Sequence, residues 1–221
     1  MTSSQAPPAA RITPAMILFA AAYLLPTIVL SIWRLNGEFI LYGVVTSILV
    51  GLVLLVHRQC QLSTGVLWGL NVWGAAHMWG GMIPIPESWP YDGDHRVLYS
   101  WWLIPYIIKY DMVVHFLGFG VTTFVCWYGV KSLARYISPS HQLRPTFGVL
   151  LICVAASMGF GGMNEVIEFL ATRVLPDTNV GDYTNTGWDL VSNLLGAICA
   201  AIIIRFRNSA ESQPAPQNIP R

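Results

Sequence analysis

The chain has 221 residues, of which 54% are hydrophobic and only 10% are charged, and its formal net charge is +1. A soluble domain usually carries about 25% charged residues. This much apolar surface cannot be hidden inside a globule of this size, so lipid must be the solvent for much of it. The near-neutral charge argues against a nucleic-acid partner, because no basic surface is available to neutralise phosphates.

Six apolar runs follow one another with short connections, and each is close to the ~20 residues that a transmembrane helix needs. They lie near residues 15–33, 38–56, 64–86, 108–131, 147–170 and 187–206. We therefore predict an all-α protein, a polytopic transmembrane bundle of about six helices that forms one domain over residues 15–207. Residues 1–14 are predicted to be a disordered leader and residues 208–221 a disordered tail, since both are rich in small polar residues and proline.

The distribution of lysine and arginine predicts the orientation of the bundle. With six helices, both termini and two connections share one side, which holds Arg11, Arg58, Lys131, Arg135, Arg144, Arg205, Arg207 and Arg221. The other side holds Arg34, Arg96, Lys109 and Arg173. Basic residues concentrate on the cytoplasmic side of membrane proteins, so both termini are predicted to be cytoplasmic.

Polar residues inside four of the predicted helices are unexpected, because an ionisable group within a span costs about 2.5–3.5 kcal/mol on insertion scales. The alternating direction of the helices places all of them at a similar depth beneath the outer surface. They are His77 in the third helix, Tyr110, Asp111 and His115 in the fourth, Asn164, Glu165 and Glu168 in the fifth, and Asp189 and Asn193 in the sixth.

Helical spacing turns these residues toward one another. Asp111 and His115 are four residues apart, and Glu165 and Glu168 are three apart, so each pair shares one helix face. Small residues accompany each polar set and let membrane helices approach closely; they include Gly74, Gly81, Gly118, Gly161 and Gly196. The polar faces are therefore predicted to point into the bundle.

The charge of this layer favours a metal site. Four carboxylates in a low-dielectric layer cannot all stay ionised without cations, and only Lys109 is close in sequence. Either most of them hold protons, or one or two divalent metal ions neutralise them. Imidazole together with carboxylate oxygen suits zinc, iron or manganese, and the set resembles the ligands of two-metal sites in helical bundles. The candidate ligands are His77, Asp111, His115, Glu165, Glu168 and Asp189.

Four more residues are candidates for hydrogen-bonding these ligands or binding a substrate, namely Asn164, Asn193, Asp182 and Tyr110. Each candidate also has a plainer interpretation. His77 alone would be a hydrogen-bonded core histidine, Asp111 would pair with Lys109, and Asp189 would favour the start of its helix through the helix dipole. Their common depth is what favours a functional site.

The sequence resembles the YjdF-like bacterial inner-membrane protein family, whose function is unassigned. The matching stretches are AAHMWGG around His77, YDMVVHFLGFG from Tyr110, NEVIEF from Asn164 and GDYTNTGWDLVSNLLGA from Gly181, over roughly residues 35–206. The last stretch is also loosely similar to VanZ-like membrane proteins. The resemblance implies a multi-pass protein of the bacterial cytoplasmic membrane and assigns family polar positions to Asp111, His115, Glu165, Glu168, Asp182 and Asp189. Asn185 departs from the pattern, because related sequences often carry Asp there.

Three functions fit these observations. The leading hypothesis is a metal-dependent enzyme that acts on a lipid or lipid-linked substrate by hydrolysis or group transfer. Its site would open toward the periplasm. The first alternative is a proton- or cation-coupled transporter, since intramembrane carboxylates are common in proton relays. The second is a non-catalytic scaffold or accessory subunit in which the polar layer only fixes helix packing.

Overall fold

The computed structural model describes residues 10–139, 142–176 and 178–211. In this part the chain forms six α-helices: α1 (Pro14–Trp33), α2 (Gly37–Cys60), α3 (Thr64–Met82), α4 (Tyr110–Ile137), α5 (Phe147–Val174) and α6 (Tyr183–Glu211). The predicted all-α fold of about six helices is confirmed. Residues 1–9 of the predicted leader and residues 212–221 of the predicted tail lie outside the described residues.

Five helices are long and apolar enough to cross a membrane by length and composition: α1, α2, α4, α5 and the part of α6 that runs Tyr183–Arg207. The predicted third span corresponds to α3, which has 19 residues and is not among these five. Its glycines, together with Asn71 and His77, lower its hydropathy. The architecture is that of a polytopic membrane protein with a less hydrophobic helix packed against α1 and α4.

Polar side chains fix where four helices begin. Thr13, Asn36, Ser63 and Thr146 each accept a hydrogen bond from a backbone N–H in the first turn of α1, α2, α3 and α5. Such caps satisfy donors that have no partner within the helix, which stabilises the helix start. They also set the short connections between neighbouring antiparallel helices.

Two helix boundaries differ from the predicted ones in a way that affects the polar layer. α5 continues to Val174 rather than ending near 170, so Glu165 and Glu168 lie more than one turn before its end. α6 begins at Tyr183 rather than near 187, which places Asp189 in its second turn. The apolar runs predicted both helices too short, because the last turn of α5 and the first turn of α6 contain polar residues that a hydropathy criterion excludes.

The longest connection, residues 83–109, folds into a compact cap at one end of the bundle. It contains a 3-10 turn at Leu98–Ser100 and a short antiparallel hairpin of β1 (Trp102–Ile104) and β2 (Ile108–Lys109). Isolated bridges join Pro84 to Val97 and Tyr91 to Trp101. The connection between α5 and α6 lies at the same end, which we call the site face.

Glycines bring α4, α5 and α6 into close contact. A Cβ on Gly196 of α6 would collide with the backbone carbonyl oxygen of Phe116 on α4, and a Cβ on Gly161 of α5 would come within 2.8 Å of the Asn193 amide nitrogen. Small residues allow this approach. The three helices that carry most of the polar layer are therefore packed directly against one another.

Candidate functional site

A cluster of four carboxylates and one histidine lies between α4, α5 and α6, near the site face. Two groups of three residues each offer ligand atoms that all lie within 4.8 Å of one another. One group is Asp111, His115 and Asp189, and the other is Glu165, Glu168 and Asp189. Asp189 belongs to both groups, and its side chain is only 1% exposed.

Both ring nitrogens of His115 lie near carboxylates of the cluster, and Nδ1 is 4.0 Å from Oε1 of Glu165. Its Nδ1 lies 3.0 Å from Oδ1 of Asn193, and because that oxygen can only accept, Nδ1 carries the hydrogen of the neutral ring. The lone pair on Nε2 then faces Oδ1 of Asp111 at 3.6 Å and Oδ1 of Asp189 at 3.9 Å. Three acceptors thus face one another, an arrangement that needs a cation or a proton between them.

Unpartnered buried acceptors point to the same requirement. Oδ1 of Asp189 and Oε2 of Glu165 are buried and have no hydrogen-bond partner within the described part of the chain. Leaving a buried acceptor without a partner costs free energy, and the cost is larger for a charged group. Carboxylate oxygens and imidazole nitrogen fit a divalent cation such as zinc, iron or manganese.

Two asparagines lie directly beside the cluster. Nδ2 of Asn164 donates to Oε1 of Glu168 at 2.7 Å and to Oε1 of Glu165 at 3.5 Å. Asn193 is fully buried and contacts His115 as described above. Both amides therefore hold candidate ligands in place, which is how such outer contacts tune metal sites.

Asn185 connects the cluster to Lys109 and was not among the residues proposed from the sequence. Its Nδ2 donates to Oδ2 of Asp189 at 2.7 Å and to Oδ2 of Asp111 at 3.1 Å. Its Oδ1 accepts from Nζ of Lys109 at 3.0 Å. The ammonium group fixes which way the amide points, and the amide in turn holds two carboxylates of the cluster.

Lys109 is itself held at the edge of the site. Its Nζ lies 3.6 Å from Oδ2 of Asp92 and 5.6 Å from the centroid of the Trp102 ring. The Lys109 residue is 9% exposed, whereas the Asp92 side chain is 65% exposed. The positive charge thus lies beside the cluster and is screened from solvent on most sides.

His77 lies apart from the two ligand groups. The hydroxyl of Tyr99 donates to the backbone carbonyl of His77 at 2.7 Å and contacts Nδ1 of the ring at 2.6 Å. The ring also stacks on Trp73. Burial raises the pKa of the Tyr99 phenol well above its usual range, and the charges of Asp111 and Glu168 act in the same direction. The Tyr99 hydroxyl therefore keeps its proton and remains a donor.

A small cavity joins His77 to the cluster. Its volume is about 20 Å³, and its walls include His77, Tyr99, Asp111, Glu168 and Glu38. This is enough space for one water molecule. Glu38, in the first turn of α2, was also missed from the sequence, where an acidic residue at a helix start is explained by the helix dipole alone.

Glu38 is tied to the connection between α5 and α6. Both of its carboxylate oxygens accept from the backbone N–H of Asn179, at 2.9 and 3.0 Å. Asn179 lines the small cavity as well. These hydrogen bonds hold the connection between α5 and α6 over the polar layer.

A larger cavity opens the cluster to the site face. Its volume is about 620 Å³, and Asp111, Asn185, Lys109, Met112 and Trp188 are among its lining residues. Asp182 also lines it and accepts from the backbone N–H of Asn185 at 2.9 Å. Tyr110 is turned elsewhere, because its hydroxyl donates to the carbonyl oxygen of Ala76 at 3.0 Å.

Below the cluster the bundle interior is apolar. The buried hydroxyls of Thr123 and Ser157 both donate to the carbonyl oxygen of Phe119. Beneath them lies a core cluster of Trp127, Leu150, Cys153, Ala201 and Ile204. In the described residues, the carboxylate layer therefore ends above this core cluster, which we call the apolar plug.

Comparison with known proteins supports the membrane assignment. A family model described as a predicted membrane protein (DUF2238) matches residues 15–210. Searches among curated proteins and solved structures found no match. These comparisons do not return the VanZ-like similarity of the last stretch. The match covers most of the chain and agrees with the YjdF-like resemblance, so the chain belongs to the DUF2238 family of predicted membrane proteins.

Proposed function

We propose that this integral membrane protein is a metal-dependent enzyme that acts on a lipid or lipid-linked substrate. One or two divalent cations (zinc, iron or manganese) would be held by Asp111, His115, Glu165, Glu168 and Asp189. His77 lines the adjoining small cavity and remains a further candidate ligand. We assign the site face to the periplasmic side of a bacterial cytoplasmic membrane, as the lysine and arginine distribution predicts.

The observation that carries the metal proposal is the position of Asp189 between the two ligand groups. A carboxylate that belongs to both groups is suited to bridge two ions, as in carboxylate-rich two-metal sites of helical bundles. With the histidine neutral, four ionised carboxylates carry as much negative charge as two divalent cations carry positive charge. Lys109 already has Asp92 within ion-pair distance, so a metal remains the simplest compensation for the cluster.

A bound divalent cation supplies Lewis-acid chemistry and activates water at neutral pH. Hydrolysis or group transfer would follow from that. The chain's own groups would orient the reaction: Asn185 holds Asp111 and Asp189, Asn164 holds Glu165 and Glu168, and Asn193 sets the proton position on His115.

The larger cavity supports a substrate from the membrane. A volume of about 620 Å³ is in the range of small-molecule sites and suits a lipid headgroup. Met112, in the first turn of α4, and Trp188, in the second turn of α6, line it. These turns belong to helices that can cross the membrane, so the cavity borders the headgroup zone, where a lipid would enter from the side.

The apolar plug below the cluster favours an enzyme over a transporter. A path for protons or cations needs polar groups that continue across the membrane. In the described helices the buried hydroxyls of Thr123 and Ser157 are already bonded to a backbone carbonyl, and Trp127 and Ile204 follow beneath them. An enzyme that acts on one leaflet requires a polar site that opens to one face of the membrane.

Elemental analysis of the detergent-purified protein tests the metal site. We expect stoichiometric zinc, iron or manganese in the wild type and loss of that metal in His115→Ala and Glu165→Ala. The matched control is Glu87→Ala, whose side chain is 98% exposed and which should keep the metal. A wild type that stays metal-free after supplementation with all three metals would refute the proposal.

The enzymatic part needs its own test. Metal-loaded wild type and His115→Ala protein would each be incubated with a bacterial inner-membrane lipid extract and analysed by mass spectrometry. A product that forms with the wild type only would support an enzyme. If the wild type binds metal yet leaves every lipid unchanged, metal binding would stand and the proposed lipid chemistry would fall.

A further inference from the structure

The cap at residues 83–109 has two chemically different parts. Its first part carries Glu87, Asp92, Asp94 and Arg96 and is polar. Its second part, residues 103–108, reads Leu-Ile-Pro-Tyr-Ile-Ile and contains no charged residue. We call this second part the hairpin tip.

The hairpin tip turns its apolar side chains outward. β1 and β2 pair through Trp102 with Lys109 and through Ile104 with Ile108, and the turn between them is closed by the Ile107 N–H bonded to the Ile104 carbonyl. Tyr106 is 90% exposed and Ile107 is 67% exposed. Leu103 and Ile104 are exposed as well, so the apolar surface continues around the tip.

Water is a poor solvent for such a surface. A contiguous exposed apolar patch on a soluble face marks an interaction site or an aggregation risk. Tyrosine beside aliphatic residues instead matches the membrane–water interface, where the ring is buried and the hydroxyl stays hydrated.

The position of the tip places a membrane within reach. β2 passes without a break into α4, which begins at Tyr110 and is apolar enough to cross a membrane. Tyr110 lies four positions after Tyr106, which limits the distance between their Cα atoms to about 14 Å even for an extended chain. The membrane surface is thus the apolar environment nearest to the tip.

We infer that the hairpin tip inserts into the headgroup region of the leaflet at the site face. Its partner is the lipid surface itself. Trp102, at the base of the same hairpin, and Lys109 line the larger cavity. An inserted tip therefore holds the mouth of that cavity at the level of the headgroups. This inference does not require a metal or an enzymatic reaction.

Spin-label accessibility in nanodiscs of phosphatidylethanolamine and phosphatidylglycerol tests the inference. p-Acetylphenylalanine is placed at Tyr106 or, in a second variant, at Ile107, and is coupled to a nitroxide, which leaves the native cysteines in place. The control position is Asp94, which lies exposed in the polar part of the same cap. Collision rates are measured with oxygen, which concentrates in lipid, and with a water-soluble nickel complex.

Insertion predicts that labels at 106 and 107 collide more with oxygen and less with nickel than the label at 94. Equal nickel accessibility at all three positions would place the tip in water and overturn the inference. Protection from both reagents at 106 and 107 would indicate a protein contact, for example with a second copy, and would overturn it as well.

Discussion

Nδ1 of His115 and Oδ1 of Asn193 lie 3.0 Å apart, between α4 and α6. The amide oxygen accepts a hydrogen bond from Nδ1–H of the neutral ring, so Nε2 is the acceptor nitrogen of the imidazole. Gly161 on α5 makes the contact sterically possible, since a side chain there would press on the Asn193 amide. A glycine on one helix thus controls the proton position on a second helix through a side chain of the third.

Replacing the amide should weaken metal binding without removing a ligand. In Asn193→Ala, His115 loses the acceptor that fixes its tautomer, and we expect a 10–100-fold loss of metal affinity, as is typical for such outer contacts. Competition with a chelator of known affinity measures it. The control is Thr122→Ala on α4, whose hydroxyl is bonded to the Gly118 carbonyl. Unchanged affinity in Asn193→Ala would contradict the assigned role.

Asp189→Asn should abolish binding of both ions, because Asp189 is the one residue that the two ligand groups share. Asp111→Asn should remove one ion at most. Metal at a hundredfold excess over its dissociation constant stabilises a protein by about 2.7 kcal/mol. We therefore expect a metal-dependent rise in thermal stability for the wild type and none for Asp189→Asn. Retention of one ion in Asp189→Asn would show that the two groups are independent.

Asn185→Leu should separate the amide's bonding role from its bulk. The variant removes the donors to Asp111 and Asp189 and the acceptor of Lys109, so metal affinity should fall 10–100-fold. Thr184→Ala, at an exposed neighbouring residue that lines the same cavity, is the control and should bind metal normally. Isothermal titration calorimetry, started from protein whose metal has been removed with a chelator, measures the metal affinity of both variants. Equal affinities would mean that Asn185 only fills space.

The α4–α6 contact predicts a sharp difference between two glycines. Gly196→Ala places a Cβ against the Phe116 carbonyl oxygen, whereas a Cβ on Gly129 meets no atom within 4 Å. Overpacking of this kind costs about 1–3 kcal/mol, so Gly196→Ala should unfold at lower temperature in detergent. Gly129→Ala should match the wild type or exceed it. Similar melting curves for the two variants would show that the helices can shift apart at no cost.

The helix count and the convergence of polar groups could be predicted because both depend on simple periodicities. Apolar runs of about 20 residues define spans, and neighbouring antiparallel helices bring groups of similar depth together. Asp111 and His115, or Glu165 and Glu168, share faces by spacing alone. These local rules were enough to propose the cluster that α4, α5 and α6 form.

The missed residues have partners that no local rule can supply. Asn185 lay before the predicted start of the sixth helix, and its side chain bonds two residues more than 70 positions away, Lys109 and Asp111. His77 and Tyr99 are 22 residues apart across the folded cap, so the hydrogen bond could not be anticipated from helix geometry. The hairpin was missed for the same reason, because its short strands follow the shape of the cap more than any strand pattern.

The bond between Glu38 and Asn179 has a consequence for how the protein is made. Its two ends are 141 residues apart in the chain. At about 5–20 residues per second of synthesis, the ribosome adds Asn179 roughly 7–28 s after Glu38. The connection between α5 and α6 can therefore cover the polar layer only late in synthesis, when α1 to α5 have already been made. A chain truncated before residue 179 would lack this bond between α2 and the connection that follows α5.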